Sequence, residues 1–155
     1  MRYRIALGFI LLVALVAVGC GGKKAEQAES TAAPPAAAPA AADYTVPADL
    51  DQGPRAGEAP VDEALAAQGE QIFTTRGCVA CHAFGKKVIG PDLKGVAMQR
   101  TEQWMEAQIL HPDKMTVQDP TAKALLAQYK TQMTNQGLTS DQAKAVIEYI
   151  KKAGK

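Results

Sequence analysis

From residue 62 onward, the pattern of apolar and polar residues is typical of short helices separated by turns. Small and apolar residues recur at the i, i+4, i+7 and i+8 spacing of one helix face, at Leu65, Gly69, Ile72 and Phe73. Asp62 precedes this face and is a residue type that caps helix starts. The pattern therefore predicts a first helix over about 62–75.

Two further helices are predicted by residues that favour helix starts and stops. Thr101 can cap a helix that runs toward His111, and this helix must stop before Pro112, because proline disfavours helical geometry in the residue ahead of it. Asp119 followed by Pro120 is an N-cap with proline in the preferred first position. The apolar face of this third helix comprises Ala122, Leu125, Leu126 and Tyr129.

The last helix is predicted by a capping box, which Thr139 and Gln142 can form. Apolar residues then repeat at i, i+3, i+4 and i+7 spacing, at Ala143, Val146, Ile147 and Ile150. No stretch alternates apolar and polar residues well enough to predict a strand. We therefore expect an all-α fold with about four short helices.

The beginning of the chain has the pattern of an export signal. Arg2 and Arg4 precede an apolar run over residues 5–18. This run is shorter than the roughly 20 apolar residues that a transmembrane helix needs. We predict a signal peptide over residues 1–19, with an uncleaved anchor or a simple secreted form as alternatives. Each of these puts the rest of the chain outside the cytoplasm.

The segment that ends at Cys20 resembles the lipobox of bacterial lipoproteins, in which this cysteine becomes the acylated first residue of the mature chain. A small residue precedes Cys20, as in that motif, whereas Ala17 stands where leucine is more usual. The resemblance implies that Cys20 is lipidated and anchors the protein to a membrane. Gly21 rather than aspartate follows the cysteine, which favours the outer membrane over the inner one.

Alanine and proline dominate residues 20–61, and no apolar periodicity in this stretch could build a core. We predict a disordered tether that begins at Cys20, followed by a folded domain over residues 62–155. A flexible chain of about 40 residues has a root-mean-square reach of roughly 35 Å. A domain on such a tether can search for partner proteins beside the membrane.

The charge balance and the aromatic content narrow the possible functions. The 155 residues include 17 basic and 16 acidic ones, which nearly cancel and argue against a nucleic-acid partner. Only 5% of the residues are aromatic, although a small domain must bury much apolar surface to be stable. We therefore expect something other than side chains to fill part of the core.

The segment Cys78-Val79-Ala80-Cys81-His82 is the strongest chemical signal in the sequence. A C-x-x-C-H pentapeptide is the attachment site of c-type haem. Two thiols on about one helical turn can each add to one haem vinyl group, and the next residue can direct its imidazole at the iron. We therefore predict one covalent haem c, held by Cys78, Cys81 and His82.

Three alternatives explain these cysteines less well. A zinc site needs two further ligands at suitable spacing, and His111 is the only histidine besides His82. A thioredoxin-like redox pair needs a βαβ context, which this helical stretch lacks. A structural disulfide gives no reason for a histidine directly after Cys81.

The whole of residues 62–155 resembles a class I cytochrome c domain, a small all-α fold around one haem. The resemblance is carried by Gly69 and Phe73, the segment Cys78-Val79-Ala80-Cys81-His82, the segment Gly90-Pro91-Asp92-Leu93, a helix that ends at Pro112, and a methionine before a final helix with Val146 and Tyr149. It implies that Gly69 and Phe73 pack where the first and last helices cross. It also implies that the Pro91 carbonyl accepts a hydrogen bond from His82 Nδ1 and that Leu93 packs on the haem.

The residues that could supply the sixth iron ligand are Met98, Met105, Met115, Met133 and His111. The resemblance implies Met133, which lies in a loop shortly before the last helix. Thr134 follows it, whereas proline is common there in the family. His111 stays open as a ligand, and it is otherwise a surface residue whose charge suits a helix C-terminus.

An iron bound by His82 and Met133 has no open position, so its easy reaction is the gain and loss of one electron. We therefore expect a periplasmic electron carrier, not an enzyme, that serves membrane-associated redox partner proteins. Lys86 and Lys87 form part of a rim that steers an acidic partner, or are two solvated loop lysines. A haem sensor or catalyst with an open sixth site, and a fixed subunit of a membrane oxidoreductase complex, stay open as alternatives.

Overall fold

The computed structural model describes residues 44–155, and in this part of the chain it contains five α-helices and no strand. The helices are α1 (Glu63–Thr75), α2 (Glu102–Leu110), α3 (Pro112–Gln118), α4 (Pro120–Tyr129) and α5 (Ser140–Ala153). The all-α prediction is therefore confirmed. None of these helices is long and apolar enough to cross a membrane. The predicted signal peptide over 1–19, the lipidation site at Cys20 and the first part of the tether lie outside the described residues.

The predicted caps begin four of these helices. The side chains of Asp62, Thr101 and Asp119 accept hydrogen bonds from backbone N–H groups in the first turns of α1, α2 and α4. Thr139 and Gln142 make both hydrogen bonds of the capping box at α5. These bonds satisfy backbone donors that have no partner within their own helix, and the local sequence therefore defines where each helix begins.

Helix α3 is the one α-helix in residues 44–155 that the sequence pattern did not predict. Helix α2 ends at Leu110, as the proline required, but Pro112 then occupies the first turn of α3. Its fixed φ and missing N–H suit that position. Met115 fixes α3 to the core, since it is fully buried. Pro112 is buried as well. A helix of seven residues is too short to show an amphipathic repeat, and the burial of these two residues depends on contacts with distant parts of the chain.

Helices α1 and α5 cross closely because a glycine lies at the crossing. A Cβ atom at Gly69 would collide with the backbone carbonyl of Ala145. Phe73 is buried there, and its ring centroid lies 5.3 Å from that of Tyr149. The predicted packing of Gly69 and Phe73 is therefore confirmed. This crossing fixes the end of α1, directly before the C-x-x-C-H motif.

Residues 44–61, which we call the strap, pack against the helices. The Thr101 hydroxyl donates to Leu50 O at 2.6 Å, and Ala56 is buried. The described part of the tether predicted for residues 20–61 is therefore part of the folded unit. Hydrogen bonds and single apolar side chains hold the strap. A segment held in this way has no amphipathic repeat for sequence analysis to detect.

The end of the strap is held by α5 through a buried lysine. Lys151 Nζ donates to Pro60 O at 3.0 Å and pairs with Glu148 Oε1 at 2.7 Å. Glu148 Oε2 accepts a hydrogen bond from the Asp62 backbone N–H at 2.8 Å. Burying a lysine is tolerated here because its ammonium group has an anionic partner and a carbonyl partner.

Candidate functional site

The C-x-x-C-H motif lies in a short 3₁₀ turn, Cys78–Ala80, just after α1. The backbone N–H groups of Cys81 and His82 both donate to Cys78 O, at 3.2 and 3.0 Å. Because these bonds close about one turn, both thiols and the imidazole line the same cavity. Burial raises the pKa of the Cys78 thiol.

The imidazole of His82 is held by a carbonyl from the following loop. His82 Nδ1 lies 3.0 Å from Pro91 O, which is the hydrogen bond that the family resemblance implies. When Nδ1 donates to this carbonyl, the lone pair of the neutral ring is on Nε2. The ring is then oriented so that Nε2 can bind a metal ion. Metal-binding histidines are commonly oriented by a hydrogen bond from their other ring nitrogen.

Gly90 lets this loop approach the imidazole. A Cβ atom at this position would lie 2.7 Å from His82 Cε1 and 3.2 Å from Cys81 O. The Gly90 N–H also donates to Cys81 O at 2.8 Å. In the sequence, Gly90 stands out only as part of a segment that resembles the family. Its steric role appears only when the fold brings the loop against the ring.

A cavity of about 510 Å³ lies between the C-x-x-C-H turn and the loop before α5. All the residues predicted for the haem site line it, namely Cys78, Cys81, His82, Pro91, Leu93 and Met133. Much of the remaining wall is apolar, with contributions from Ile109, Leu125, Leu126, Val146 and Ile150. The fold therefore brings together candidate ligands that are far apart in the chain.

The other methionines differ in their position relative to this cavity. Met105 also lines it, and its side chain is buried in the core on α2. Met115 is fully buried and does not line it, whereas Met98 is 58% exposed. Met133 thus shares the cavity with one other methionine, which is held within a helix.

Three amide side chains hold the loop that carries Met133. Gln108 Nε2 lies 3.6 Å from Met133 Sδ, within hydrogen-bonding distance of a sulfur acceptor. Gln132 Nε2 and Asn135 Nδ2 donate to backbone carbonyls at the corner between α2 and α3, at 3.2 and 2.7 Å. These bonds restrain a loop in which Thr134 replaces the proline common in the family. No sequence pattern predicts these hydrogen bonds, because only the tertiary fold places those carbonyls beside the loop.

Two buried polar atoms indicate that the cavity accommodates a group with polar atoms of its own. Trp104 Nε1 and Gln108 Oε1 are buried and have no hydrogen-bond partner among residues 44–155. Both side chains line the cavity, and an unsatisfied buried donor or acceptor costs about 1–3 kcal/mol. A haem fits this site, since its ring system suits the apolar walls and its carboxylates can accept a hydrogen bond. The cavity volume is also within the range of small-molecule sites, roughly 300–1,000 Å³.

His111 does not line the cavity and lies at the corner between α2 and α3. Its ring stacks on that of Tyr44, with centroids 3.9 Å apart and ring planes at 20°. Burial lowers the pKa of His111, against the smaller raising effects of Asp113 and Glu106. The expected charged surface histidine is therefore instead a stacked, mainly neutral one.

The alternatives for the two cysteines have no support in the part of the chain that the structure describes. No three side chains of His, Cys, Asp or Glu lie close enough together there to hold a metal ion. The same residues contain no strand for a βαβ unit, and no disulfide joins Cys78 to Cys81.

Comparisons with known sequences agree with this geometry. The Cytochrome c family profile matches residues 66–154, which is more than half of the chain. A cytochrome c-551 from Stutzerimonas stutzeri is 44% identical over 41 residues, which are 26% of this chain and 39% of that protein. The chain thus spans about two fifths of this curated relative.

Solved structures show the same similarity. A cytochrome c from Rhodothermus marinus is 38% identical, with a TM-score of 0.59 over 61% of this chain and 81% of that one. An engineered cytochrome c from the same organism, bound to a carbene intermediate, is 36% identical, with a TM-score of 0.56 over 61% and 81%. The chain therefore belongs to the cytochrome c family, whose members carry a covalently attached haem c and transfer electrons.

Proposed function

We propose that the chain is a single-haem electron carrier in which His82 and Met133 bind the iron of a haem attached to Cys78 and Cys81. The observation that carries this proposal is the shared cavity, because both candidate ligands line it. A cytochrome with two protein side chains as axial ligands has no open position for a substrate. We therefore propose electron transfer, not catalysis.

A bound haem supplies the one-electron couple of its iron. The chain's own residues orient the ligands and exclude water. Pro91 O holds the His82 ring at 3.0 Å, and Gln108 Nε2 is directed at Met133 Sδ at 3.6 Å. A thioether ligand and apolar walls both favour the reduced iron, so we propose a fairly high midpoint potential.

The proposed location is the periplasmic side of a membrane, with the outer membrane favoured. The support is the sequence before the described residues, which combines an export signal over 1–19 with the lipobox-like segment ending at Cys20. A lipid on Cys20 and the remaining tether would keep the folded unit near membrane-bound donors and acceptors.

The proposed partners are redox proteins with an acidic docking face. The stretch 76–91 contains three basic residues, Arg76, Lys86 and Lys87, and no acidic one. Val79 and Ile89 in this stretch are each 50% exposed, and Ile89 lines the cavity. An exposed apolar patch with basic neighbours suits brief docking steered by charge.

The substitution Met133→Ala tests the carrier function. Removing the thioether should abolish the weak long-wavelength absorption of oxidised haem that reports an iron–sulfur bond. The reduced variant should bind carbon monoxide faster, and its midpoint potential should be lower, because water or an open site replaces a ligand that favours reduced iron. Absorption spectra, carbon monoxide binding rates and redox titration measure these three effects.

Met98→Ala is the matched control, because this methionine is exposed and does not line the cavity. The control should leave all three observables unchanged. Persistence of the absorption band in Met133→Ala would contradict the ligand assignment. Ready binding of carbon monoxide by the unsubstituted reduced protein would instead favour a sensor or catalyst with an open sixth site.

A further inference from the structure

A carboxylate in the strap binds the helical part of the domain through both of its oxygens. Asp51 Oδ1 accepts hydrogen bonds from the Thr101 backbone N–H at 3.0 Å and from Arg55 Nη1 at 3.1 Å. Asp51 Oδ2 accepts one from Arg100 Nη1 at 2.7 Å. The side chains of Asp51 and Arg100 are only 23% and 26% exposed, so this pair is mostly shielded from solvent. Asp51 therefore restrains Arg100.

Arg100 extends from this contact to the wall of the cavity. Its guanidinium carbon lies 5.0 Å from the centre of the Trp104 ring, and both residues line the cavity. Asp51 is the only hydrogen-bond partner of the Arg100 side chain among residues 44–155, although a guanidinium has five N–H donors. Trp104 is 4% exposed, and its Nε1 has no hydrogen-bond partner in that part of the chain. The remaining donors are therefore available to an acceptor in the cavity.

We propose that Asp51 is a positioning residue, which holds Arg100 against the cavity so that Arg100 and Trp104 bind the haem carboxylates. The strap thereby sets part of the midpoint potential of the haem. This inference rests on the haem site proposed above. A guanidinium fixed beside the haem carboxylates offsets their negative charge, which otherwise favours the oxidised iron. Without Asp51, the long and flexible Arg100 side chain would populate other rotamers.

The test is a double-substitution cycle with Asp51→Asn and Arg100→Gln in the haem-loaded full chain. Redox titration measures the midpoint potential of each protein. We expect Asp51→Asn to change the ratio of oxidised to reduced haem at a fixed applied potential by roughly two- to tenfold, the effect of moving one charge in a partly solvated site. We also expect most of this change to disappear in the Arg100→Gln background, because Asp51 acts through Arg100. Equal shifts in the two backgrounds, or no shift in either, would overturn the proposal.

Gln118→Ala is the control for a merely structural role of the strap. It removes the side-chain oxygen that accepts a hydrogen bond from the Val46 backbone N–H at 2.9 Å, and Gln118 neither contacts Asp51 nor lines the cavity. This variant should lower the denaturant midpoint while leaving the redox potential unchanged. A potential shift as large as that of Asp51→Asn would mean that strap packing governs the haem, and would also overturn the proposal.

The cycle separates this inference from the proposed carrier function. An open sixth site would be detected by ready carbon monoxide binding to the unsubstituted protein. The iron of such a protein would still have a midpoint potential, so the coupling between Asp51 and Arg100 would still be measured.

Discussion

At the scale of single residues, His82 is oriented by the loop that follows its turn. Pro91 O lies 3.0 Å from the ring nitrogen Nδ1, and the space beside Cε1 is so narrow that only glycine fits at position 90. Hydrogen bonds of this kind fix the tautomer and raise the basicity of a metal-binding imidazole. The orientation of this candidate ligand thus depends on Gly90 and Pro91.

Replacing Gly90 with alanine should displace the His82 ring or the loop. We expect a loss of about 1–3 kcal/mol in the free energy of unfolding, the usual cost of an extra methyl group in a tightly packed site. The absorption spectrum of the haem should also change. Chemical denaturation and visible spectroscopy measure these effects.

Gly85→Ala is the comparison for this variant. A Cβ atom there meets no atom within 4 Å, although its φ of +79° makes the substitution mildly destabilising. Its haem spectrum should match that of the unsubstituted protein. If Gly90→Ala also left the spectrum unchanged, the proposed steric support of His82 would be wrong.

At the scale of secondary structure elements, the corner between α2 and α3 contacts two other parts of the molecule. Its backbone carbonyls accept hydrogen bonds from the amides that restrain the Met133 loop. Its histidine, His111, stacks on Tyr44 in the strap. A short helix that begins with proline therefore contributes to positioning both the candidate ligand loop and the strap.

The stacked His111 should make stability depend on pH. Burial lowers its pKa in the folded state below the unfolded value of about 6.5, so the unfolded chain binds more protons. The stabilising contribution is complete above the unfolded pKa and is lost as the pH falls through the folded one. We expect the denaturant midpoint to decrease from about pH 8 to about pH 5. His111→Gln should remove part of this decrease, and identical pH profiles for the two proteins would refute the assignment.

At the scale of the whole molecule, the folded unit begins earlier than the apolar repeats indicate. The strap is held by the Thr101 hydroxyl near its beginning and by Lys151 near its end. The tether proposed to begin at Cys20 can therefore include at most residues 20–43. A shorter tether would restrict the distance over which the proposed lipid-anchored carrier meets its partners.

The substitution Cys20→Ser tests the lipid anchor. Removing the thiol that would be acylated should release the protein from membranes or block processing of its signal peptide. Membrane fractionation and the mass of the mature chain measure these outcomes. Ala17→Leu, which brings the segment closer to the usual lipobox, should leave membrane binding intact. A processed, membrane-bound Cys20→Ser protein would refute lipidation at this residue.

The sequence by itself determined the features that depend on local chemistry. Caps such as Asp62 and Thr139 define helix starts, because the partners of their side chains lie within the next turn. The C-x-x-C-H motif is equally local, since its three functional side chains lie on one turn. Family resemblance supplied Pro91 and Met133 as candidates, but local patterns could not show that both line the same cavity as His82.

Only the tertiary structure decided the contacts between distant segments. Gln108 beside Met133, Gly90 against His82 and Asp51 on Arg100 each join segments or loops whose approach no local pattern encodes. The packing of the strap and of α3 depends in the same way on single buried groups, without a repeat along the chain. Such contacts depend on the packing of the whole domain. A hydrogen bond or a close packing contact needs only that two groups are near each other in space, and the fold decides which distant groups are near each other.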